Sequence, residues 1–271
     1  MNNLRISLCQ MDAGPNVAAN LHVAESAFVA AAAAGSELLV LPENAWCRGT
    51  ADDVRESAAE SAEFHERLGA FSATHGVAAV WGGVPLSEGD ALFNAALVYD
   101  ASGQPLCEYR KIHLFQLFGG EQDIDETRQY CPGAQAGSFE ISGWRIFLSI
   151  CYDLRFPELY RSAAGAELML CPANFTKRTG QAHWEVLARA RAIENQCYFA
   201  AVGQCGQHNA LGVKTHGHSL IADPWGTVIR ELADAPACLH AELSAERICE
   251  VRNALPALRS IRNRVKWELQ D

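Results

Sequence analysis

One of the ten cysteines in this 271-residue chain stands where a thiol becomes chemically useful. In Trp144-Arg-Ile-Phe-Leu-Ser-Ile-Cys151-Tyr-Asp-Leu-Arg155-Phe-Pro157-Glu158 the residues before Cys151 alternate. Ile146, Leu148 and Ile150 fall on one face and Phe147, Ser149 and Cys151 on the other, the period of a strand. A short turn follows, Pro157 opens a helix, and Gly165 is suited to close it. Cys151 therefore belongs at a strand's C-terminal end, where open α/β sheets gather their ligands. A buried structural thiol is the alternative, since free cysteine is among the most buried residue types.

Two charged residues share that kind of position. Glu43 follows a strand over 38–41 across Pro42, and Lys111 follows a strand over 105–109. Singly, each reads as a solvated surface charge. At three strand ends together, a carboxylate, an ammonium and a thiol suit the cleavage of a carbon–nitrogen bond. The carboxylate can take the thiol proton and later activate water. The lysine can hold the oxyanion of the tetrahedral intermediate, helped by the backbone N–H that follows the nucleophile, here that of Tyr152. The carboxylic acid can return its proton to departing ammonia. No metal or other cofactor is required.

The elements that must position these residues can be read along the chain. A first strand runs over 4–11, and a helix follows that Asn16 caps and Gly35 stops. Further elements are a helix over 61–75, a strand over 77–84, and a hairpin of 92–99 with 105–109 around Asp100-Ala-Ser-Gly103. After the cysteine unit come a strand over 168–171 and a helix over 182–195. That helix carries Val186, Ala190, Ile193 and Cys197 at spacings of four, three and four. Strands over 198–204, 218–222, 227–231 and 237–243 and a helical, then irregular, tail from Ser244 complete the chain. The segment 119–137 is the least regular and reads as a loop over the site. Strands alternating with helices and mixed with hairpins predict two sheets covered by helices, in one α/β domain spanning 1–271.

Composition bounds the function. Hydrophobic residues at 49% and charged residues at 20% are ordinary for a globular chain, and a formal net charge of −10 argues against nucleic acid or an anionic membrane as partner. The first residues show no basic region followed by a long apolar run, so no secretory signal is expected, and the longest apolar stretch, 27–34, is too short to span a bilayer. Scattered cysteines without a Cys-x-x-Cys pair suit a cytoplasmic enzyme with reduced thiols. A metal-binding protein is the competing reading of His216-Gly-His218 with His208, but no Cys or His pairs stand at zinc-site spacing. A thiol-rich redox sensor or inactive scaffold is another, and the intact set Glu43, Lys111 and Cys151 argues against it.

Leu41-Pro42-Glu43, Tyr109-Arg110-Lys111-Ile112-His113-Leu114 and Ile150-Cys151-Tyr152-Asp153-Leu154-Arg155-Phe156-Pro157-Glu158 resemble, in order, the three signature segments of the nitrilase superfamily of carbon–nitrogen hydrolases. The resemblance runs end to end. It implies an αββα sandwich, a Glu43–Lys111–Cys151 triad, a thioester intermediate, and homodimers pairing through the helical face beside the site, with the tail 244–271 at that interface. The family's second glutamate, ahead of a Pro-Gly pair, is matched by Glu126 before Cys131-Pro132-Gly133, with Asp123 and Asp125 as competitors. Its implied duty is to orient Lys111. Phe115-Gln-Leu-Phe-Gly-Gly120 departs from the acidic-apolar pattern usual after the lysine motif.

The form after the cysteine resembles the small-amide hydrolases rather than nitrile-hydrolysing members. Thr179-Gly180-Gln-Ala182-His183-Trp184-Glu185 and the run from Arg189 to Gln196 are shared by two branches, one acting on 2-oxoglutaramate and one on deaminated glutathione. Gln204-Cys205-Gly206-Gln207-His208, Gly217-His218-Ser219 and Asp223-Pro224-Trp225-Gly226 are closer to the second. Arg155 can offer a planar fork to the carboxylate of such an amide, or else pair with Glu158 or Asp153. Thr179 is a candidate hydroxyl donor to the substrate, and His183 and Trp184 read as the packed beginning of a helix.

Overall fold

The computed structural model describes residues 2–119, 123–208 and 212–262. Its central strands are short apolar runs. Leu38–Val40, Leu168–Ala173 and Tyr198–Gly203 are buried at every residue, as parallel strands are when each face carries another layer. The first sheet runs Ala237–Leu243, Leu4–Gln10, Leu38–Val40, Ala78–Glu88, Ala91–Tyr99 and Pro105–Arg110. The second runs Val228–Glu231, Leu220–Ala222, Tyr198–Gly203, Leu168–Ala173, Trp144–Leu148 and Gly137–Ile141. Each has three parallel strands inside and antiparallel strands at its margins.

The alternation of each strand decides the layers. Leu4, Ile6 and Leu8 join Ile146, Leu148, Leu168 and Leu170 in one core, whereas Cys9, Leu39, Ala79 and Trp81 join Phe28, Phe64 and Leu68 in another. Those phenylalanines belong to helices Val17–Ala33 and Ser61–His75, which cover the first sheet. Helices Pro157–Ser162 and Lys177–Asn195 cover the second. The order is helix, sheet, sheet, helix: the αββα sandwich. Asn16 caps its helix by accepting from the Ala19 amide, and Gly35 turns the chain at φ +65°, as their types predict.

Several boundaries differ from the sequence reading. The helix expected over 182–195 begins at Lys177, capped by Thr176, and contains Gly180. That glycine looks like a breaker but is needed for packing, because a Cβ there would collide with the His216 ring. The expected stripe of that helix is also wrong: Val186 and Ile193 are 66% and 50% exposed. The buried face carries Trp184, Ala188, Arg191, Ala192 and Asn195, and its polar members hid it from a hydrophobic count. The helix after Pro157 ends at Ser162, before Gly165. The described part of the segment expected as a loop over 119–137, residues 123–137, is more regular than a loop. Within it Ile124–Asp125 pairs with Gln116–Leu117, and Gly137 begins a strand of the second sheet.

The first sheet carries a bulge at Gly82-Gly83, where its register with the next strand slips between Trp81 and Val84. Gly83 takes φ +63°, and a Cβ on it would sit 2.7 Å from Glu43 Cγ and closer still to the Asn44 amide nitrogen. The bulge is the room into which Glu43 fits. Gly83→Ala is expected to cost about 1–3 kcal/mol through the positive φ and the collision. Denaturant unfolding checks it, and a variant as stable as the parent would mean that the bulge relaxes freely.

Candidate active site

Each of the three strand ends is fixed by its own backbone. Leu41 N–H donates to Val80 O at 2.9 Å, and Asn44, next to Glu43, takes φ +62°. Lys111 N–H donates to Asn94 O at 2.8 Å, and Gly133 N–H to Lys111 O at 2.8 Å, so the Pro-Gly pair lies against the lysine strand. Ser149 N–H donates to Leu170 O at 3.1 Å. Cys151 then takes φ +48°, the left-handed region, and starts a tight 3-10 turn, Cys151–Arg155. An L residue held there stores about 1–3 kcal/mol of strain. Here that conformation is the corner that sets the thiol at the strand end.

Glu43 and Lys111 come from the first sheet and Cys151 from the second, and the three meet where the sheets' edges face each other. Lys111 Nζ donates to Glu43 Oε1 at 2.8 Å and to Glu126 Oε2 and Oε1 at 2.7 and 3.0 Å. Lys111 and Glu43 are almost wholly buried, Cys151 is 6% exposed, and Glu43, Glu126 and Cys151 line one cavity. Asn94 Nδ2 donates to Glu43 Oε1 at 2.9 Å, and Gln204 Nε2 holds the Glu43 carbonyl at 3.0 Å. Among the acids of the loop, the lysine takes Glu126. Asp123 accepts from the Gly119 amide, and Asp125 from Thr127 and Gln116, which shape the loop itself.

Burial opposes the charge on Lys111, but Glu126 and Glu43 outweigh it and hold the ammonium well above the usual lysine range. Burial raises Glu126 above the usual carboxylate value, against the pull of Lys111. Burial, followed by the Glu43 charge, pushes the Cys151 thiol well up, against the pull of Lys111. Burial therefore favours the protonated thiol over the thiolate at Cys151. A carboxylate, a fixed cation and a protonated thiol can together perform acyl transfer.

Asp153, fully buried, ties the cysteine turn to the lysine segment. Its carboxylate accepts from Tyr109 OH at 2.6 Å, His113 N–H at 3.0 Å and Ile150 N–H at 2.9 Å, and its Oδ1 lies 2.7 Å from His113 Nδ1. His113 in turn stacks on Phe156 at 3.6 Å between ring centres. On the other side Arg191 holds Leu154 O through Nη2 at 2.7 Å. Sequence reasoning missed Asp153, Asn94 and Arg191. Asp153 lay inside a recognised motif and was read only as an alternative ion-pair partner of Arg155. Asn94, a lone amide in the apolar run Ala91-Leu-Phe-Asn-Ala-Ala-Leu97, was a signal that could have been read.

Arg155 makes no ion pair among the described residues, so the pairing with Glu158 or Asp153 is not found. Its Nη1 lies 3.1 Å from His183 Nδ1, and its guanidinium sits 5.4 and 5.7 Å from the Phe175 and Tyr152 ring centres. Arg155, Tyr152 and Thr179 line a narrow slot beside Cys151, although the Thr179 hydroxyl is already shared with Thr176 Oγ1 at 2.9 Å. His183 and Trp184 lie within the helix rather than at its beginning, and Trp184 is buried while its ring N–H donates to His218 O at 2.7 Å. The slot opens at Cys151 into a cavity of about 430 Å³ walled by residues within 43–55 and 123–130 and by His208, Val213 and Thr215. His208 lines that cavity while His216 and His218 stack on each other, and among the described residues no group of three or more His, Cys, Asp or Glu side chains could hold a metal ion.

Asp153→Asn removes the charge that these donors share and turns one acceptor into a donor. A loss of about 3 kcal/mol in stability is expected, at one to two weakened bonds to a buried charge. Turnover of the folded fraction should fall at least tenfold, because the thiol and the lysine lose their common anchor. Thermal unfolding and active-site titration measure the two effects. A folded variant with full turnover would leave Asp153 without a positioning role.

The profile of the carbon-nitrogen hydrolase family matches residues 5–253. The deaminated glutathione amidase of Synechocystis sp. (strain PCC 6803 / GT-S) is 37% identical over 262 residues, covering 92% of this chain and 94% of that protein. The omega-amidase NIT2 of Xenopus tropicalis is 33% identical, covering 97% and 96%. The crystal structure of the C. elegans NitFhit protein superposes with a TM-score of 0.87 at 32% identity, covering 97% of this chain and 66% of that one, so this chain spans about two thirds of that longer protein. With its fold, the place of its three strand-end residues and a match over nearly its whole length in agreement, the chain belongs to the carbon–nitrogen hydrolase family.

Proposed function

We propose that this chain is an amidase that cleaves a small carboxylate-bearing amide through a thioester on Cys151, with deaminated glutathione as substrate and 2-oxoglutarate and Cys-Gly as products. The observation that carries this reading is the buried Lys111, shared by Glu43 and Glu126, beside the cavity that Cys151 lines. Glu43 takes the Sγ proton as sulfur attacks the amide carbonyl, and Lys111 Nζ with the Tyr152 N–H holds the oxyanion. Collapse expels the amine, which carries away the proton that Glu43 held. Water then gives a proton to Glu43 as it attacks the thioester; the C–S bond breaks, Glu43 returns that proton to the Cys151 sulfur, and the acid leaves with thiol and carboxylate restored. Glu126 keeps the ammonium aimed. The chemistry calls for no cofactor.

The substrate choice rests on room. Releasing ammonia from 2-oxoglutaramate, the second reading, needs little more than the space of one water, roughly 30 Å³. The 430 Å³ cavity on the far side of Cys151 from Arg155 suits a dipeptide leaving group better. It offers Thr50, Gln129, Tyr130 and Thr215 for polar contact, and His208, whose pKa burial and then Arg48 lower to about 4, stays neutral there at pH 7. Arg155, unpaired and seated among aromatic rings, supports recognition of the shared 2-oxo acid end, once the slot widens to admit it. A cytoplasmic homodimer fits the remaining features. Trp225 is 54% exposed, Val186 and Ile193 are exposed on the helix Lys177–Asn195, and Arg189 Nε of that helix donates to Gly226 O at 2.8 Å, next to Trp225. Among the described residues no helix is long and apolar enough to cross a membrane. Residues 263–271 of the tail expected at the dimer interface lie outside the described residues.

Cys151→Ala should abolish hydrolysis with the circular dichroism unchanged, whereas Cys171→Ser or Cys205→Ser should cost far less. Glu126→Gln should lower the rate of thioester formation by about a hundredfold, the scale of losing an oriented oxyanion donor. Rapid-mixing kinetics distinguish these, and substantial turnover by the Cys151→Ala protein would remove the thioester route.

Arg155→Lys should reduce kcat/KM for deaminated glutathione and 2-oxoglutaramate alike, by one or more orders of magnitude, since lysine lacks the planar fork. The unsubstituted enzyme should prefer deaminated glutathione. Steady-state kinetics on both compounds decide it: a preference for 2-oxoglutaramate would establish the second reading, and equal losses on neutral amides would make Arg155 structural.

A further inference from the structure

Away from the catalytic cavity, the ladder between strands Leu4–Gln10 and Ala237–Leu243 sets two cysteines directly opposite each other, Cys9 against Cys238. Directly opposed residues of antiparallel strands project to the same face, with Cα atoms roughly 4.5–5.5 Å apart. That separation lies inside the roughly 4.4–6.8 Å which a disulfide spans. Both thiols face the layer of helix Val17–Ala33: Cys9 is 2% exposed within the apolar cluster there, and Cys238 packs half-buried on its edge. Neither lines the cavity that holds Cys151, so catalysis gives no reason for the pair.

We propose that Cys9 and Cys238 form a thiol–disulfide exchange site that takes a small disulfide, such as glutathione disulfide, and becomes an intramolecular cross-strand disulfide. Cys238 is the entering thiol, because it is the one that solvent reaches. Its sulfur, giving its proton to solvent, attacks one sulfur of the small disulfide; that S–S bond breaks, and one thiol leaves with a proton. Cys9, directly opposite on the neighbouring strand, then loses its proton and attacks Cys238 Sγ, and the second small thiol leaves. Two protein thiols are oxidised to one disulfide while one small disulfide is reduced to two thiols. The hydrogen bond between the thiols favours this order, since it draws Cys238 below the usual thiol value and, together with burial, pushes Cys9 well above it. Cross-linking two strands that are already paired needs no backbone rearrangement, whereas the single thiols Cys131 and Cys249 can stop only at mixed disulfides.

The experiment treats the whole protein with glutathione disulfide, alkylates the remaining thiols and maps the peptides by mass spectrometry. The expected product is lighter by two hydrogens at this pair, with the Cys9 and Cys238 peptides joined and released again by dithiothreitol. Cys9→Ser should stop with one glutathione attached at Cys238, and Cys238→Ser should leave Cys9 untouched. Retention of two alkylatable thiols at Cys9 and Cys238 after Cys131 and Cys249 have reacted would overturn the proposal. So would a Cys9→Ser protein that gains no glutathione at Cys238.

Discussion

A single buried ammonium, shared by two carboxylates, is the interaction on which the rest of this site depends. Removing charges from water is expensive, and a buried ion pair with one partner deleted loses about 3–5 kcal/mol because a charge is stranded. Lys111 has no water to fall back on, so its partners must be exact in place before the chain closes around them: Glu43 Oε1 at 2.8 Å and Glu126 at 2.7 Å. Two acids for one base leave the cluster short of positive charge. That deficit adds to burial, the larger cause, in raising the neighbouring Cys151 thiol, and it links the electrostatics of folding to that of the site.

The scaffold meets this demand by making three unrelated strand ends converge. Glu43 needs a neighbour without a side chain, and the Gly82-Gly83 bulge provides it. Glu126 is reached by a short ribbon in which Phe115 N–H donates to Glu126 Oε2 at 2.7 Å, so the same carboxylate closes the loop and holds the lysine. The cysteine belongs to the other sheet, and packing of two sheets alone would let its edge slide by fractions of an ångström. Asp153 removes that freedom, since one carboxylate accepts from both the lysine segment and the turn of the nucleophile. Position is transmitted through hydrogen bonds to a buried charge, which are short and directional, rather than through apolar contact, which is neither.

The sequence was most legible where local chemistry decides the structure. Helix 61–75 and strand 237–243 were read to the residue, and the cap at Asn16 and the turn at Gly35 follow from side-chain type alone. The three strand-end residues were legible because strand patterns end just before them. Legibility failed where tertiary contact overrides local preference. Gly180 reads as a helix breaker until the His216 ring is seen against it, and Arg191 reads as a surface residue until it is seen holding Leu154 O. The stripe through Val186 and Ile193 misled for a related reason. A helix with apolar residues on its outer face and an arginine on its inner one cannot be oriented by counting hydrophobic positions.

The protonated state of Cys151 bears on how such a site chooses between amides and ordinary electrophiles. An exposed thiolate reacts with any accessible electrophile at a rate set by its ionised fraction. A buried thiol whose proton can leave only to a carboxylate already committed to Lys111 reacts differently. In the proposed reaction it becomes nucleophilic only when an electrophilic carbonyl is seated where developing negative charge meets the ammonium, because only then does the cluster gain the stabilisation that offsets loss of the proton. The positive φ of +48° at Cys151 places its Cβ at the corner between the strand and the 3-10 turn. Cys171, buried one strand away and pushed up to about 12 by burial, has no cation beside it and remains a packing residue. Two thiols of nearly equal burial thus differ in the charges beside them, and the proposed function gives the work to the one that faces Lys111.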